Sequence, residues 1–281
     1  MAVSIEKKYQ KLTDTEHVLL RPGMYVGSIK PHTEEVFLPM KGKDQFQLTE
    51  VTYNPGFLKL FDEIVSNSVD EHKRNTKLNK VKVDIDMSTG LISIWDNGGI
   101  PVKIHKEYDE WVPEMIFSNL KAGSNFDDTE DRVVVGTNGV GSTLTNIFSK
   151  EFIIETCDGK KQFVQTFKNN MSERTKAKIT NKKTAFTKIT YLTDFKRFGL
   201  NGINKNHYLM ITKRLIDIAA CNPTLKIFLN DKPIAFRTFK DYASRYVTPV
   251  FYDQSEHWKI GIGHSTTGFK AISFVNSVET K

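Results

Sequence analysis

Three polar residues on one predicted helix have the types and spacing of a site that activates water beside a metal ion. Glu63, Asn67 and Asp70 follow one another at i, i+4 and i+7 within residues 55–74, so they share one stripe of the helix. A carboxylate beside buried surface suits a general base, and an amide oxygen suits a hard cation such as Mg²⁺. Ordinary amphipathic helices carry the same residue types at the edge of the apolar face, so this alternative stays open.

A second candidate is Asp96, which follows a predicted strand and opens a turn. The strand ends at Trp95, and the sequence NGGIP over 97–101 then reverses the chain. A carboxylate at a strand end, with Gly98 leaving room for a flat ligand, can accept a hydrogen bond from an amine such as that of adenine. The same residues are also typical of a plain turn.

The third candidate is a glycine-rich loop, GTNGVGST, at residues 136–143. It has no Lys after the last glycine, as a P-loop requires, and the dinucleotide pattern fails at Leu144. Three glycines nevertheless let the backbone approach a ligand closely, and a helix that begins near Ser142 points free N–H groups at an anion. A tight loop before a helix is the alternative interpretation.

Regular elements must bring these residues together. The sequence pattern predicts a short helix capped by Thr13 and Glu16, a helix over 55–74, a hairpin over 81–95, a helix over 113–121, a hairpin over 151–167, a strand over 184–192, a helix over 206–221 and a strand over 225–229. Strands alternating with helices, several of them joined as hairpins, predict a mixed sheet covered by helices. Further strands are expected from about Val250 onward.

Composition restricts the classes of protein. The chain has 281 residues, enough for roughly two domains, with 39% apolar and 26% charged residues. No apolar run approaches the roughly 20 residues of a membrane helix, and the N-terminus does not resemble a signal peptide. Cys157 and Cys221 form no C-x-x-C pair and the seven histidines are scattered singly, so we expect reduced thiols, no zinc site and a cytosolic or nuclear location.

Positive charge is concentrated in one segment. The net charge is +7, and its densest part is residues 168–183. Polyanions are plausible partners for such a chain. No aromatic residues interleave with these charges as stacking platforms, which favours a solvated loop.

The sequence resembles the GHKL (Bergerat-fold) ATPases and, within them, the ATPase region of type IIA DNA topoisomerases. The matching stretches are EHVLLRPGMYVGS (16–28), FDEIVSNSVDE (61–71), WDNGGIP (95–101), GSNFDD (123–128), GTNGVGSTLTNIFS (136–149) and ISFVNSVET (272–280). They occur in the family's order over nearly the whole chain. Within the family, the chain is most similar to the large subunit of T-even-type bacteriophage topoisomerases, with eukaryotic topoisomerase II nearby.

The resemblance implies a fold and a division into domains. The expected fold is an α/β two-layer sandwich with a mixed sheet and helices on one face. Residues 1–20 would be an N-terminal arm with a short helix, 21–240 the GHKL ATPase domain, and 241–281 the start of a transducer domain. Because the family's phosphate-sensing lysine and DNA-cleaving regions lie beyond these parts, the chain is expected to be a fragment of a larger enzyme.

The resemblance also assigns roles to the candidate residues. Glu63 would be the general base, Asn67 the Mg²⁺ ligand, and Asp70 would lie with them in the nucleotide site. Asp96 would accept the adenine amine with support from Thr187. The family's turn reads D-x-G-x-G, and the turn after Asp96 is one residue shorter, which leaves the contacts of Gly98 and its neighbour to be established.

The remaining predicted nucleotide contacts lie in the lid and on the arm. Ser124 and Asn125 would touch the ribose and phosphates, and Tyr9 resembles the residue that reaches into the partner subunit's site. The predicted contacts of the glycine loop are Gly136, Asn138, Gly139, Val140, Gly141, Ser142 and Thr143. The loop needs no P-loop lysine, because in this family backbone amides and Mg²⁺ hold the triphosphate and a lysine arrives from another domain.

The function implied by the resemblance is Mg²⁺-dependent ATP binding and hydrolysis that closes a dimeric gate during DNA strand passage. The cofactors would be ATP and Mg²⁺. The partners would be DNA through the full-length enzyme, a second copy of the chain and the remaining topoisomerase domains, with no membrane. The location would be the host cytoplasm for a phage protein and the nucleus for a eukaryotic one. Two alternatives are a protein-remodelling chaperone ATPase and a non-catalytic basic DNA-binding module.

Overall fold

The computed structural model describes residues 5–122, 139–236, 238–266 and 268–280. The helices are α1 (Ile5–Lys8), α2 (Asp14–Leu20), α3 (Pro55–Arg74), α4 (Val112–Ser118), α5 (Gly141–Ile147), α6 (Lys205–Cys221) and α7 (Phe239–Ala243), with single 3-10 turns at Pro22–Met24 and Phe195–Phe198. Among the described residues, no helix combines the length and apolar character needed to cross a bilayer.

The strands are numbered in chain order. They are β1 (His32–Leu38), β2 (Gln47–Tyr53), β3 (Lys80–Asp86), β4 (Leu91–Asp96), β5 (Ile104–His105), β6 (Glu110–Trp111), β7 (Ser149–Cys157), β8 (Lys161–Lys168), β9 (Glu173–Arg174), β10 (Lys178–Asn181), β11 (Phe186–Thr193), β12 (Lys226–Leu229), β13 (Lys232–Ile234), β14 (Phe251–Gln254), β15 (Lys259–Ile262), β16 (Ser273–Val275) and β17 (Val278–Thr280).

A nine-stranded sheet forms the centre of the fold. Its order is β10-β8-β7-β11-β4-β3-β12-β13, and β9 pairs with the free part of β8. The pairs are antiparallel except for β3 and β12, which are parallel. Strands β3 and β11 run in the same direction because both are antiparallel to β4, and the connection from β11 through α6 lets β12 run in that direction too. Alternating residues such as Val81, Val83 and Ile85 turn their side chains into the core. The sheet is therefore mixed, as predicted.

The long helix α3 begins at a sequence-encoded N-cap. The Asn54 side chain accepts a hydrogen bond from Phe57 N–H at 3.0 Å, and Pro55 occupies the first helical position. Its apolar stripe, including Leu60 and Ile64, is buried in the main core together with residues of α5 and α6. The short helix α2 has the predicted capping box between Thr13 and Glu16. The cap at Asn54 and the proline that follows it fix the start of α3, the helix that carries Glu63, Asn67 and Asp70.

Several features differ from the sequence-based expectations. Strands β1 and β2 form a separate hairpin that packs on α6 through a small cluster containing Leu38, Val51 and Tyr53, and the sequence pattern had not indicated it. The interpretation of residues 168–183 as a loop is wrong for Glu173–Arg174 (β9) and Lys178–Asn181 (β10), which both pair with β8, and β10 forms the edge of the main sheet. Paired hairpins occupy much of the stretch after Val250, as expected.

Candidate functional site

The carboxylate of Glu63 lies against the first residue of α5. Its side chain is 22% exposed, and the Lys59 ammonium, one turn earlier on α3, lies 2.5 Å from Oε1. A Cβ atom on residue 141 would lie 1.7 Å from Oε2 of Glu63, so Gly141 is the residue that leaves room for this contact. The packing of α3 on α5 therefore brings two of the predicted site residues together.

Asn67 and Asp70 continue the same stripe into different surroundings. Asn67 is exposed, and its side chain makes no hydrogen bond to any residue that the structure describes. Asp70 is buried, with 2% of its surface exposed. The stripe thus runs from the partly open position of Glu63, through a free amide at Asn67, into the protein at Asp70.

Asp96 is a buried carboxylate held by hydrogen bonds. The Ser68 hydroxyl donates to Oδ2 at 2.7 Å, and Gly98 N–H donates to Oδ1 at 2.9 Å. Burial is the main cause that raises the pKa of Asp96 to about 6, and the nearby charge of Glu71 acts in the same direction. Hydrogen bonds from Ser68 and from the backbone of Gly98 and Thr187 oppose that rise. The carboxylate remains ionised at neutral pH.

The turn after Asp96 is held by contacts that require small residues. A Cβ on Gly98 would lie 2.7 Å from a methyl carbon of Leu78, and a Cβ on Gly99 would lie 2.2 Å from the carbonyl oxygen of Cys157. The second glycine of the shortened turn is thus needed for packing against β7. The Asn97 side chain ties the turn to the start of β3 through backbone N–H groups.

Thr187 lies beside Asp96 in the sheet. The two residues are register partners in the β4–β11 pair. The hydroxyls of Thr187 and Thr156 share a hydrogen bond of 3.0 Å, and the Thr156 hydroxyl also accepts from Ile100 N–H at 3.1 Å. The structure therefore joins Thr187 to both Asp96 and the turn that follows it.

The described part of the glycine loop leads directly into α5. Gly139 has a φ of +59°, Val140 precedes the helix, and α5 begins at Gly141 with no side-chain hydrogen bond capping its N–H groups. The Ser142 and Thr143 hydroxyls donate to backbone carbonyls of residues 116 and 119, at 3.3 and 2.9 Å. The side chains thus anchor α5 to the end of α4, while no side chain among the described residues caps its first backbone N–H groups.

The remaining predicted contacts fall either outside the described residues or on the N-terminal arm. Ser124, Asn125, Gly136 and Asn138 are outside the described residues. Tyr9 follows α1 and is 70% exposed, with the Lys8 ammonium 5.5 Å from the centre of its ring.

Sequence reasoning missed three residues that position the site. Lys59 contacts Glu63, Ser68 donates to Asp96, and Thr156 connects Thr187 to the turn at Ile100. The spacing of Lys59 four residues before Glu63 is a signal that could have indicated the first contact. The other two depend on side-chain burial that no local pattern reveals.

The donor set fits a hard cation shared with a ligand. Within the described ranges, no group of three or more His, Cys, Asp or Glu residues is arranged to hold a metal by itself. The free amide of Asn67, on the same stripe as Glu63, is a single oxygen donor of the kind that Mg²⁺ accepts alongside phosphate oxygens and water. The residues present therefore fit a metal that enters with a phosphate ligand.

Comparison with known proteins identifies close relatives of the chain. No family model matches. DNA topoisomerase 2 of Arabidopsis thaliana is 40% identical over 99% of this chain, and that of Acanthamoeba polyphaga mimivirus is 42% identical over 99%. The match spans about a fifth of each relative, 20% and 23% of their lengths.

Among solved structures, the ATPase region of Saccharomyces cerevisiae topoisomerase II has a TM-score of 0.93 and 35% identity. The match covers 99% of this chain and 76% of that one. The predicted two-layer α/β fold of the GHKL type is confirmed by this similarity.

Proposed function

The chain belongs to the ATPase region of the type IIA DNA topoisomerases, and on that premise we propose that it binds ATP with Mg²⁺ and hydrolyses it with Glu63 as general base. The nucleotide would lie between α3, the turn after Asp96 and the start of α5. The observation that carries the proposal is the contact of the Glu63 carboxylate with Gly141, where the glycine loop becomes a helix.

That contact places a candidate general base next to a candidate phosphate site. No described side chain caps the first N–H groups of α5, and their partial positive charge favours a phosphate. A carboxylate beside the same helix start can take a proton from a water molecule that attacks the terminal phosphate. The Lys59 ammonium holds the carboxylate in one orientation.

Asp96 would select adenine over the other nucleobases. Its ionised oxygens already accept from Ser68 and Gly98, and a carboxylate oxygen has a further lone pair for the adenine amine. Guanine carries an oxygen at that position, which would face the negative charge of Asp96. Thr187, Asp70 and Gly98 would complete the walls of the adenine pocket.

Asn67 would hold the metal. When bound, Mg²⁺ would neutralise charge on the phosphate oxygens. The exposed amide of Asn67, one turn after Glu63, can present an oxygen to that cation without giving up a hydrogen bond to any described residue. Asn67 would therefore contribute to Mg²⁺-nucleotide affinity, whereas Glu63 would act in the chemical step.

The wider activity is proposed for the longer protein of which this region is a part in its relatives. Ser124, Asn125, Gly136 and Asn138 would contact the nucleotide, and Tyr9 would reach into the site of a second copy. ATP binding would close that dimer during DNA strand passage. We further propose a location where DNA is processed, the nucleus or, for a viral protein, the host compartment that holds viral DNA.

Isothermal titration with a non-hydrolysable ATP analogue, with and without Mg²⁺, tests the proposal. We expect binding that strengthens with Mg²⁺, prefers the ATP analogue over the GTP analogue and promotes dimers in sedimentation. A chain that binds neither analogue would contradict the proposal and favour a DNA-binding module. Binding combined with hydrolysis that only a client protein stimulates would favour a chaperone.

A further inference from the structure

Nearly all the excess positive charge of the chain lies on one edge of the main sheet. We define the basic edge as Lys160, Lys161, Lys168, Arg174, Lys176, Lys178, Lys182 and Lys183. Residues 160–183 hold these eight cations and a single acid, Glu173, a surplus of seven that equals the net charge of +7 of the whole chain. The remainder of the chain is therefore neutral overall, and a polyanion would be attracted to this edge.

The strand pairing spreads these cations along a line. At one end, Lys161 pairs with Asn181 in the β8–β10 register, and Lys182 N–H donates to the carbonyl of Lys160. At the other end, Lys168 and its neighbours pair with β9. Strand β8 separates the two ends by roughly 23 Å at about 3.3 Å per residue, and Lys178 lies between them on β10.

The basic edge faces solvent and is largely unneutralised. All eight side chains are exposed. Within the part of the chain that the structure describes, Arg174 alone among them has an ion pair, with Glu114 at 2.9 Å. Each remaining cation can therefore meet an anionic partner without breaking an ion pair to a described residue.

The shape and chemistry of the basic edge fit the backbone of a duplex. Duplex DNA carries about one negative charge per 1.7 Å of its axis with both strands counted, so a duplex segment of about 23 Å alongside the edge carries roughly a dozen phosphates. The aromatic residues of this segment, Phe163 and Phe167, are buried at 0% and 1% exposure. Because they offer no platform for stacking bases, the edge favours a duplex over a single strand.

We propose that the basic edge is a sequence-independent binding surface for duplex DNA, separate from the nucleotide site. Its lysines contact phosphates and read no bases. The surface lies on residues 160–183, whereas the proposed nucleotide contacts lie elsewhere in the chain. DNA binding and ATP binding can therefore be tested independently of each other.

The test is fluorescence anisotropy of a labelled 30-base-pair duplex at several salt concentrations. The edge variant combines Lys160→Gln, Lys161→Gln, Lys178→Gln and Lys183→Gln. A control variant removes the same charge from exposed lysines elsewhere, by Lys41→Gln, Lys43→Gln, Lys205→Gln and Lys232→Gln. Since each phosphate contact contributes about 0.9 to the slope of log affinity against log salt, loss of four contacts in the edge variant should lower that slope by about 3.6, and the control should lower it by less than about 1.

Several outcomes would overturn the proposal. Equal losses in the two variants would show that net charge alone matters, and an unchanged slope in the edge variant would place DNA elsewhere. Tighter binding of a single strand, or equal displacement of the duplex by polyglutamate at matched charge, would exclude a duplex surface. Titration of both variants with an ATP analogue shows in parallel whether the edge variant is folded. If the parent chain itself does not bind the analogue, the proposed nucleotide site is contradicted, and the DNA result is unaffected.

Discussion

The carboxylate of Glu63 occupies the space that any side chain on residue 141 would need. A Cβ there would lie 1.7 Å from Oε2 and 2.5 Å from Cδ of Glu63, far inside van der Waals contact. Two residues distant in sequence are thereby fitted to each other, one on α3 and one at the start of α5. The position of the proposed base thus depends on the absence of a side chain on its neighbour.

The first prediction is that Gly141→Ala impairs hydrolysis without unfolding the chain. The new methyl group would push the carboxylate away from its present position, so we expect at least a tenfold lower hydrolysis rate. The backbone of Gly141 does not have a positive φ, and the atoms that a Cβ would meet belong to the flexible Glu63 side chain, so stability should be largely maintained. Gly23→Ala, which has open space around its Cβ, is the control. Equal hydrolysis rates in both variants would contradict the fit of Glu63 to Gly141.

The second prediction separates the base from the metal ligand. Glu63→Gln keeps the shape of the side chain but cannot take a proton, so hydrolysis should fall by about a hundredfold or more while ATP affinity is retained. Asn67→Ala should instead weaken binding of the nucleotide with Mg²⁺ and have little effect without Mg²⁺. Titration calorimetry and a phosphate-release assay on both variants measure these effects. Parental hydrolysis by Glu63→Gln would exclude Glu63 as the base.

The third prediction concerns the selection of adenine. Asp96→Ala removes a charged acceptor from an enclosed site, a loss of roughly 1.5 to 3 kcal/mol, or about tenfold to a hundredfold in ATP affinity. The preference for ATP over GTP should shrink at the same time. Competition between ATP and GTP analogues for the parent and variant measures both effects. If the parent chain binds the two analogues equally, Asp96 does not select adenine over guanine.

Much of the fold follows from local patterns that the structure reproduces. The helix over 55–74 combines an N-cap, a proline at the first position and one apolar stripe, and these features agree with each other in α3. The β1–β2 hairpin carries no comparable signal. Its two strands are joined by a long connection without a two-residue turn, and β1 is largely exposed or half-buried, so its alternation is weak.

The residues of the candidate site were proposed from their local sequence contexts, and their roles stay predictions, whereas their contacts could not be predicted from those contexts. Each of Glu63, Asp96 and Gly141 has a local sequence context typical of its proposed role. The fit between Glu63 and Gly141 arises from the packing of α3 on α5, and the hydrogen bond from Ser68 to Asp96 joins a helix to a strand. Such contacts depend on how the helices and strands pack in three dimensions. Local sequence patterns do not specify that packing.

The fourth prediction is that the Ser142 and Thr143 side chains stabilise the fold and do not bind the nucleotide. Their hydroxyls donate to backbone carbonyls at the end of α4. Ser142→Ala and Thr143→Ala should therefore each cost about 1 kcal/mol of unfolding free energy, while ATP affinity changes by less than about threefold, because the backbone N–H groups of α5 remain. Urea unfolding and titration calorimetry give the two quantities. A tenfold loss of affinity without a loss of stability would mean that the hydroxyls bind the triphosphate directly.

The last prediction is that Asp96→Asn stabilises the folded chain at neutral pH while it weakens ATP binding. Burial raises the pKa of Asp96 from 3.8 to about 6, so between these values the folded state binds a proton that the unfolded state has released. The stability contributed by Asp96 is therefore present at low pH and is lost as the pH rises through about 6.

Asparagine carries no charge, and its amide can donate to Ser68 while its oxygen keeps the bond from Gly98 N–H. We expect a gain of up to about 3 kcal/mol in unfolding free energy at pH 7.5, which shrinks towards zero near pH 4. Urea unfolding at both pH values measures the gain, with the exposed Asp84→Asn as the control. A gain that is equal at both pH values would show that ionisation of Asp96 is not its cause. A gain at neutral pH would mean that the buried charge is maintained at a cost in stability, as expected if it serves to bind adenine.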